Sequence, residues 1–381
     1  MKSHWDPIKD LSDTNHVLVH DDMRHRCPVA YSEQLGYSVF THADVLRVLQ
    51  DEQRFSNAVS NHLSVPNGMD PPEHTLYRRM IERYFSPQRM DTFRPVLRAI
   101  ADDLITAAVT RGTVEVTNHL ARRFASRVQC AFLGWPSDLE QPLIEWTLEN
   151  SRASHDGNRA ELNKLATRFE TIVDQQLELR SKASGQPAQD ITTELMCEQV
   201  YNRPLSYEEI SSILRNWTVG EIGTISASIG ILMHHLAVHP DHQIVLRTQA
   251  ELLPRAIDEI LRAHNPLFSN RRVTRCPVEL GPHKLKAGEK VTLHWIAANR
   301  DEVVFHKPDE VQFDRDATQN LLYGAGVHVC PGAPLARMEL REFMESLLAH
   351  TSSWRLSSEF VPVYASIPES GFSELQTVLL A

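Results

Sequence analysis

The stretch Tyr323-Gly-Ala-Gly-Val-His-Val-Cys330-Pro-Gly332 decides the fold, because it places one cysteine between a glycine-rich loop and a helix predicted over residues 335–348. The positive end of a helix dipole and free backbone N–H groups favour a thiolate at such a position. Gly324 and Gly326 carry no side chain, so the backbone can approach a large, flat group. His328 can reach the edge of that group. The pattern is typical of a cysteine that ligates haem iron. Alone, it also fits a glycine turn, a buried thiol and a helix cap.

This segment resembles the haem-binding signature of the cytochrome P-450 superfamily, in which an aromatic residue, Gly-x-Gly, a His or Arg, and Cys-x-Gly follow in order. Tyr323 stands where Phe is more usual. The resemblance extends over nearly the whole chain and implies a mainly α structure with small β-sheets, the triangular-prism fold of the family. It also implies haem b (iron protoporphyrin IX) as the cofactor, with Cys330 as the metal ligand and with Tyr323, Gly324 and His328 among the haem-binding residues.

Composition indicates an ordinary soluble globular protein, with 42% hydrophobic and 23% charged residues among 381. No Gly/Ser linker or charge block divides the chain, so we expect one haem-thiolate domain over residues 1–381 without a fused reductase. The formal charge of −10 argues against nucleic acid or an anionic membrane as a partner. No apolar run looks long enough to span a bilayer, and the N-terminus lacks the apolar core of a signal peptide. Five cysteines without paired spacing predict a reducing cytoplasm. We expect a monomer.

Helical periodicity dominates the chain. Residues 36–40 are predicted to form a strand, followed by a helix that Thr41 caps and that runs to Gln50. Helical patterns then continue, with short breaks, over residues 89–180. Ser206-Tyr-Glu-Glu209 is a capping box that opens the longest helix, which is predicted to end before Pro240. From residue 272 to residue 295 the period becomes that of strands.

Glu259-Ile-Leu-Arg262 places an acid and a base on one helix face, about seventy residues before the cysteine. As a surface pair it is worth a few tenths of a kcal/mol. By its resemblance to the Glu-x-x-Arg pair of the family, it forms a structural ion-pair network with a residue of a later loop. Arg315 is the expected third member, although residues 299–302 also match the neighbouring family pattern.

His74 and Arg78 lie one helical turn apart in Asp-Pro-Pro-Glu-His-x-x-x-Arg. In the family these two residues bind the haem propionates, and anions at the edge of a buried apolar ring require paired cations. The alternative is a solvated helix face. The resemblance adds Arg272 and His328 to this set, and Arg271 remains an alternative to Arg272.

Val219-Gly-Glu-Ile-Gly-Thr224 lies within the longest predicted helix, and counting back from Pro240 puts Thr224 at the family's oxygen-side threonine. Gly220 and Gly223 would each cost about 1 kcal/mol in an ordinary helix, which suggests a groove for dioxygen. The family usually has an acid before this threonine, and the acid and alcohol deliver protons together. Here Gly223 occupies that place. Glu221 could substitute through a water molecule, or it could be a solvated or salt-bridged residue.

Substrate contacts are placed by position alone. The candidates surround the expected distal side of the haem, and Phe268 and Phe372 could flank a ring. They are Asn216, Gly220, Leu267, Phe268 and Phe372. Residues 215–224, 61–70 and 269–273 look most like a bacterial branch that oxidises thiocarbamate herbicides and aromatic ethers.

The expected function is therefore a monooxygenase that inserts one oxygen atom from O2 into a small organic substrate. Electrons would come from an acidic ferredoxin and its reductase. A surface near Cys330 is predicted to receive the ferredoxin, through Arg79, Arg83, Arg337 and Arg341. The missing acid before Thr224 motivates a peroxide-driven haem enzyme as the alternative. A haem-binding sensor is a third possibility, but it would need neither Thr224 nor a distal groove.

Overall fold

The computed structural model describes residues 5–11, 15–182, 190–367 and 369–381. Helices make up most of it, as the periodicity predicts. The helices are α1 (Pro7–Asp10), α2 (His16–Arg26), α3 (His42–Gln50), α4 (Glu73–Glu82), α5 (Pro87–Arg111), α6 (Arg122–Leu133), α7 (Glu140–His155), α8 (Arg159–Lys182), α9 (Ile191–Cys197), α10 (Tyr207–Val238), α11 (Pro240–Thr248), α12 (Leu253–His264), α13 (Trp295–Asn299) and α14 (Ala333–His350).

The strands are short and lie at the edges of the helical body. They are β1 (Val29–Ser32), β2 (Gly36–Val39), β3 (Phe55–Ser56), β4 (Thr113–Glu115), β5 (Gln199–Val200), β6 (Arg203–Pro204), β7 (Ser269–Thr274), β8 (Val278–Leu280), β9 (His283–Leu285), β10 (Lys290–His294), β11 (Ser353–Leu356), β12 (Val363–Tyr364), β13 (Phe372–Glu374) and β14 (Gln376–Leu380). The largest sheet has the order β1-β2-β10-β7-β3, and β10 runs parallel to β2 within it. A second sheet has the order β11-β14-β4.

The long helix α10 runs through the centre of the molecule. Its capping box forms as predicted, since the Ser206 hydroxyl accepts from Glu209 N at 3.3 Å and the Glu209 carboxylate accepts from Ser206 N at 2.6 Å. By length and composition α10 could cross a membrane, contrary to the expectation that no apolar run is long enough to span a bilayer. However, 72% of its most apolar window is buried against other elements, as expected for a core helix.

The helix α14 begins three residues after Cys330 and packs against α5 and α10. Pro334 lies in its first turn, where the missing N–H has no cost. One face carries the apolar residues Leu335, Met338 and Phe343, all of them buried. This packing holds the start of α14, and with it the cysteine loop, against the middle of α10.

Two local predictions differ from the structure. Residues 113–115, predicted as part of a helical region, form β4, because Gly112 at φ 75° ends α5 and β14 supplies a partner strand from the other end of the chain. Trp295, predicted to end a strand, begins α13. Short strands of this kind depend on distant partners, which local periodicity does not show.

Candidate functional site

The cysteine loop is closed by a backbone hydrogen bond in which Cys330 N donates to Tyr323 O at 2.8 Å. Gly324 and Gly326 have φ values of 75° and 71°, in the region that favours glycine. A side chain at Gly326 would collide with the carbonyl group of Leu49 at the end of α3. The two glycines therefore let the loop turn tightly against α3, as the sequence pattern predicts.

Cys330 lies just before α14, and solvent can reach it although protein surrounds it on most sides. Burial raises the pKa of its thiol, while the backbone N–H groups of Gly332 and Ala333 and the charge of Arg78 oppose that rise. These groups partly stabilise a thiolate before any metal is considered. Among the described cysteines, Cys330 is the one whose sulfur is placed to act as a ligand. Cys130, for example, is buried among apolar residues.

Four basic side chains converge beside this loop: His74 and Arg78 from α4, Arg272 from β7 and His328 from the loop itself. The imidazole centroids of His74 and His328 are 4.2 Å apart. Arg78 donates through Nη1 to the carbonyl oxygen of Val329 and pairs with Glu82 at 2.7 Å. Arg272 is buried and donates through Nη1 to the neighbouring carbonyl oxygen of Arg271 at 2.8 Å.

The charges of this cluster are poorly balanced by the protein. Burial and then the charges of His74 and Arg272 lower the pKa of His328 to about 3. Burial lowers the pKa of Arg272 to about 10. The Nε2 atoms of His74 and His328 are buried and have no hydrogen-bond partner among the described residues. Two carboxylates at this position would satisfy these atoms, so the four side chains would suit the two propionates of a haem.

The structure also distinguishes between Arg271 and Arg272. Arg272 is 5% exposed and turns toward the basic cluster, whereas Arg271 is exposed. Alternate residues of a strand point to opposite faces, so only one of two neighbours can face the interior.

On α10, the Thr224 hydroxyl donates to the Gly220 carbonyl oxygen at 2.5 Å. An added Cβ at Gly220 or Gly223 would meet no described atom within 4 Å. The helix therefore presents open space at these two glycines, next to a threonine whose hydroxyl is held one turn above Gly220. This arrangement fits the predicted groove.

The described contacts of Glu221, the candidate substitute acid, are to another acid. Its carboxyl group is buried and faces the carboxyl group of Glu339 on α14. Burial raises the pKa of Glu221 to about 7, and the pKa of Glu339 lies well above its usual range. The sequence suggested Glu339 as a possible partner of a surface arginine and not of Glu221, because a glutamate among apolar helix residues gives no sign of which helix it will meet.

The ion-pair network takes the form that the sequence suggests. Glu259 binds Arg262 and Arg315, at 2.8 Å in each case. Arg262 is fully buried and also donates to the Asn299 carbonyl oxygen at 2.6 Å. The segment 299–302 thus joins the network through its backbone, so both of the candidate loops contact the pair.

The prediction that Phe268 lines a substrate pocket is wrong. Its ring is fully buried and packs edge-on against His16, His20 and His294, beneath the large sheet. Leu267 is half-buried against the apolar cluster of the same sheet. From the sequence, an aromatic residue after a helix could line a pocket or lie in the core. Phe268 lies in the core because α2 packs against it.

Phe372 is 7% exposed and stacks on Tyr364 with ring centroids 5.2 Å apart. It also lies 4.4 Å from the ring of His234 and borders a cavity of about 100 Å³ with Gly371 and Ile231. It therefore contacts α10 about two to three turns beyond Thr224, and its place as a substrate contact stays a prediction.

Asn216 anchors a loop rather than facing open space. Its Nδ2 donates to the Val65 carbonyl oxygen at 3.0 Å and to Ser64 Oγ at 3.2 Å. One turn earlier, Ser212 Oγ accepts from Val65 N at 2.9 Å. Residues 61–69 are thus fastened to α10 near the groove, and we call these contacts the loop latch.

Three of the four arginines expected on the docking surface have partners within the chain. Arg83 pairs with Glu198 at 2.6 Å, and Arg341 pairs with Glu345 at 2.7 Å. Arg337 pairs with Asp258 at 2.9 Å and covers the Tyr323 ring at 4.3 Å. Arg79 is exposed, and the described parts of the chain show no ion pair to it.

Comparison with known proteins agrees with this geometry. The family model for cytochrome P-450 matches residues 8–356. The chain belongs to the cytochrome P-450 family.

Among the relatives, cyclomarin C epoxidase of Salinispora arenicola is 29% identical over 90% of this chain and 90% of its own length. Linalool 8-monooxygenase of Pseudomonas putida is 28% identical over 93% of this chain and 87% of its own length. The structure of CYP109E1 from Bacillus megaterium in complex with testosterone is 26% identical, with a TM-score of 0.85 over 96% of this chain and 99% of that one. The predicted fold is therefore confirmed, and the chain is a haem monooxygenase of this family.

Proposed function

We propose that this chain holds haem b through Cys330 and inserts one oxygen atom from O2 into a small organic substrate, by hydroxylation or O-dealkylation. An aromatic substrate is favoured by the branch resemblance of residues 61–70 and 215–224. The observation that carries the proposal is the position of Cys330 just before α14, beside four basic side chains. The described carboxylates near these side chains are too few to balance their charge.

When bound, haem supplies the activation of dioxygen at its iron. The Cys330 sulfur would ligate that iron, and the backbone N–H groups of Gly332 and Ala333 would help to stabilise its negative charge. His74, Arg78, Arg272 and His328 would neutralise the propionates, and Tyr323 and Gly324 would contact the ring. Thr224 holds a proton at Oγ1 beside the groove, while Glu259, Arg262 and Arg315 have a structural role.

Electrons would reach the protein from an acidic ferredoxin and its reductase. Arg79 supports this proposal, because it is exposed on α4 next to Arg78. Since Arg83, Arg337 and Arg341 bind carboxylates of their own, the surface is less positive than their number suggests. A salt-dependent rate of haem reduction that falls on Arg79→Glu would support this docking face. We further propose a cytoplasmic, monomeric protein with one domain over residues 1–381.

A peroxide-driven enzyme is the second candidate function. It is favoured by Gly223 in place of an acid and by the orientation of Glu221 toward Glu339. Turnover with hydrogen peroxide, compared with turnover with ferredoxin and reductant, distinguishes the two. A non-turnover sensor would show neither.

The test of the proposed function is the absorption spectrum of the reduced protein with carbon monoxide. Wild type should show the Soret band of a thiolate-ligated haem, and Cys330→His should lose it because imidazole replaces the thiolate. Cys197→Ala removes an exposed cysteine at the end of α9 and should retain the band. A thiolate band that survives in Cys330→His would refute the assignment.

A further inference from the structure

A cavity of about 100 Å³ lies beside the last turns of α10. Three imidazoles from three different helices line it, and they belong to His16, His234 and His264. Much of the remaining wall is apolar and includes Ile231 and Ile296. Among the lining residues that the structure describes there is no lysine, arginine, aspartate or glutamate. The cavity therefore combines an apolar wall with uncharged ring nitrogens.

Two of the three imidazoles have unused nitrogens. His16 is fixed, because its Nε2 donates to the Leu11 carbonyl oxygen at 3.1 Å. His234 and His264, in contrast, have no hydrogen-bond partner in the described parts of the chain. The ring of His234 lies 4.4 Å from the ring of Phe372 between centroids. Two rings without partners thus line one small space.

Positive groups dominate the surroundings of these two rings. Burial and then the charges of Arg300, His234 and Arg262 lower the pKa of His264 to about 3. Burial and then the charge of His239 lower the pKa of His234 to about 4. The empty cavity therefore keeps both rings neutral, and an anion inside it would oppose these shifts.

Acidic side chains on the elements that line the cavity are bound to arginines. They form the ion pairs Asp21–Arg300, Glu259–Arg262 and Glu369–Arg122, at 2.8, 2.8 and 3.2 Å. The other titratable groups next to the two rings are histidines, namely His16 of α2, His235 of α10, His239 and His242. The described chain thus supplies cations and neutral rings around this cavity, and it leaves the place of an anion open.

We propose that the cavity is a binding site for a small carboxylate, held by hydrogen bonds from the ring nitrogens of His234 and His264. A proton enters with the anion and is shared by the two rings, so the charge of the carboxylate is balanced. The short alkyl part packs against Ile231 and Ile296. Since benzene fills a protein cavity of about 150 Å³, a cavity of about 100 Å³ suits the smaller acetate or propionate.

A bound carboxylate joins α10 and α12 to the turn at residues 370–372, which borders the same cavity. Gly371 lets this turn rest on α10, since an added Cβ would lie 3.1 Å from Ile231 and 3.4 Å from the Ala227 carbonyl oxygen. Ala227 follows Thr224 by three residues and therefore shares its helix face. Binding thus fastens a turn that leans on the groove side of α10.

The site is tested by isothermal titration calorimetry of the haem-loaded protein with sodium acetate, and with acetamide as the neutral ligand of similar shape. Sodium chloride keeps the ionic strength constant, and buffers of different ionisation enthalpy report the protons taken up. We expect acetate to bind with uptake of one proton, so that its Kd rises by up to about tenfold per pH unit between about pH 5 and pH 7. Acetamide should bind at least about tenfold more weakly, without proton uptake.

His234→Gln and His264→Gln should each weaken acetate binding at pH 5.5 about tenfold and abolish the proton uptake, because an amide cannot become a cation. His306→Gln changes an exposed histidine and should bind acetate as wild type does. Nitrogen-15 spectra of the histidine-labelled wild type, in the ferrous carbon monoxide form, give a readout that needs no variant. Acetate should move two imidazole signals toward those of protonated rings.

Equal binding of acetate and acetamide would overturn the site, since it would show a cavity without preference for an anion. Unmoved imidazole signals would overturn it as well. Acetate binding that shifts the Soret band and persists in both histidine variants would place the anion at the haem instead of in this cavity.

Discussion

Arg272 and Arg271 are neighbours on β7 that point in opposite directions, one into the basic cluster and the other to solvent. Arg272 is buried and forms no ion pair with the described carboxylates, which is unfavourable because a buried cation requires an anion. A haem propionate supplies that anion. Cofactor binding and local stability are therefore linked at this residue.

We predict that Arg272→Ala releases haem about tenfold faster, because one charge-assisted hydrogen bond of about 1.5–3 kcal/mol is lost. Transfer of haem to an excess of apomyoglobin measures this rate. Arg271→Ala changes an exposed arginine on the same strand and should leave the rate unchanged. If Arg271→Ala and Arg272→Ala released haem at the same rate, the assignment of Arg272 as a propionate-binding residue would be wrong.

Thr224 combines a short hydrogen bond to Gly220 with a position beside open space. The hydroxyl can exchange this bond for one to a molecule in the groove at little cost, since its acceptor is the carbonyl group of a helix. Its expected contribution is therefore to proton transfer and not to the stability of α10.

We predict that Thr224→Ala binds substrate normally but releases several-fold more hydrogen peroxide per electron pair. Substrate-induced spectral shifts and peroxide assays measure the two effects separately. Ser226→Ala is the control, because Ser226 makes the same type of bond, to Ile222, inside the core. Unchanged coupling in Thr224→Ala would remove Thr224 from the proton route.

At the scale of elements, the loop latch connects residues 61–69 to α10 through three polar side chains. Ser212 and Asn216 bind the backbone around Val65, and Arg215 Nη2 donates to the Leu63 carbonyl oxygen at 2.8 Å. The loop itself exposes Leu63 and contributes only Val65 and Met69 to the core. Polar contacts, more than apolar burial, therefore determine how often this loop opens.

Asn216→Ala should increase opening of the loop, because it removes two hydrogen bonds worth about 0.5–1.5 kcal/mol each. We expect amide hydrogen exchange over residues 61–69 to become about tenfold faster. Thr218→Ala serves as the control, since the Thr218 hydroxyl contacts Leu214 and Gln129 on the α6 side. Exchange that is unchanged in Asn216→Ala would mean that the loop is held by other contacts.

At the scale of the whole molecule, five histidines meet where the end of α10 packs against α11 and α12. His235 lies 4.4 Å from His239 and 5.3 Å from His242 between ring centroids, and 5.8 Å from His264. Burial, before the charges of the neighbours, lowers the pKa of His235 to about 2, of His264 to about 3 and of His234 to about 4. These three residues are neutral in the folded protein at pH values where they are protonated in the unfolded chain.

This difference in pKa determines how the stability of the fold changes with pH. The unfolded chain binds more protons below its histidine pKa of about 6.5, so stability is complete above that pH and falls as the pH decreases. Each such histidine costs about 1.4 kcal/mol at pH 5.5. We predict that urea unfolding shifts to lower denaturant from pH 7.5 to pH 5.5, and that His264→Gln reduces this shift. His306→Gln changes an exposed histidine and should keep the wild-type shift; a shift that His264→Gln preserves would exclude the cluster as its cause.

Much of the fold was predictable from local chemistry. The capping box at Ser206, the proline after α10 and the glycines of the cysteine loop each impose a conformation through their own backbone or nearest neighbours. The Glu259–Arg262 pair needs only helical spacing. By contrast, β4 needs β14 as a partner, and the core position of Phe268 depends on the docking of α2.

The sequence by itself determined the cysteine loop, the helix that follows it, the family and the basic residues of α4, because each of these features depends on residues that are close together in the chain. Only the tertiary structure decided which of Arg271 and Arg272 faces inward, that Asn216 fastens a loop, and that Glu221 meets Glu339 instead of Thr224. The contacts of Asn216 and Glu221 join residues about 120 to 150 positions apart, and their geometry depends on how α10 packs against its neighbours. A helical pattern shows which side chains share a face, but it does not show what that face will meet.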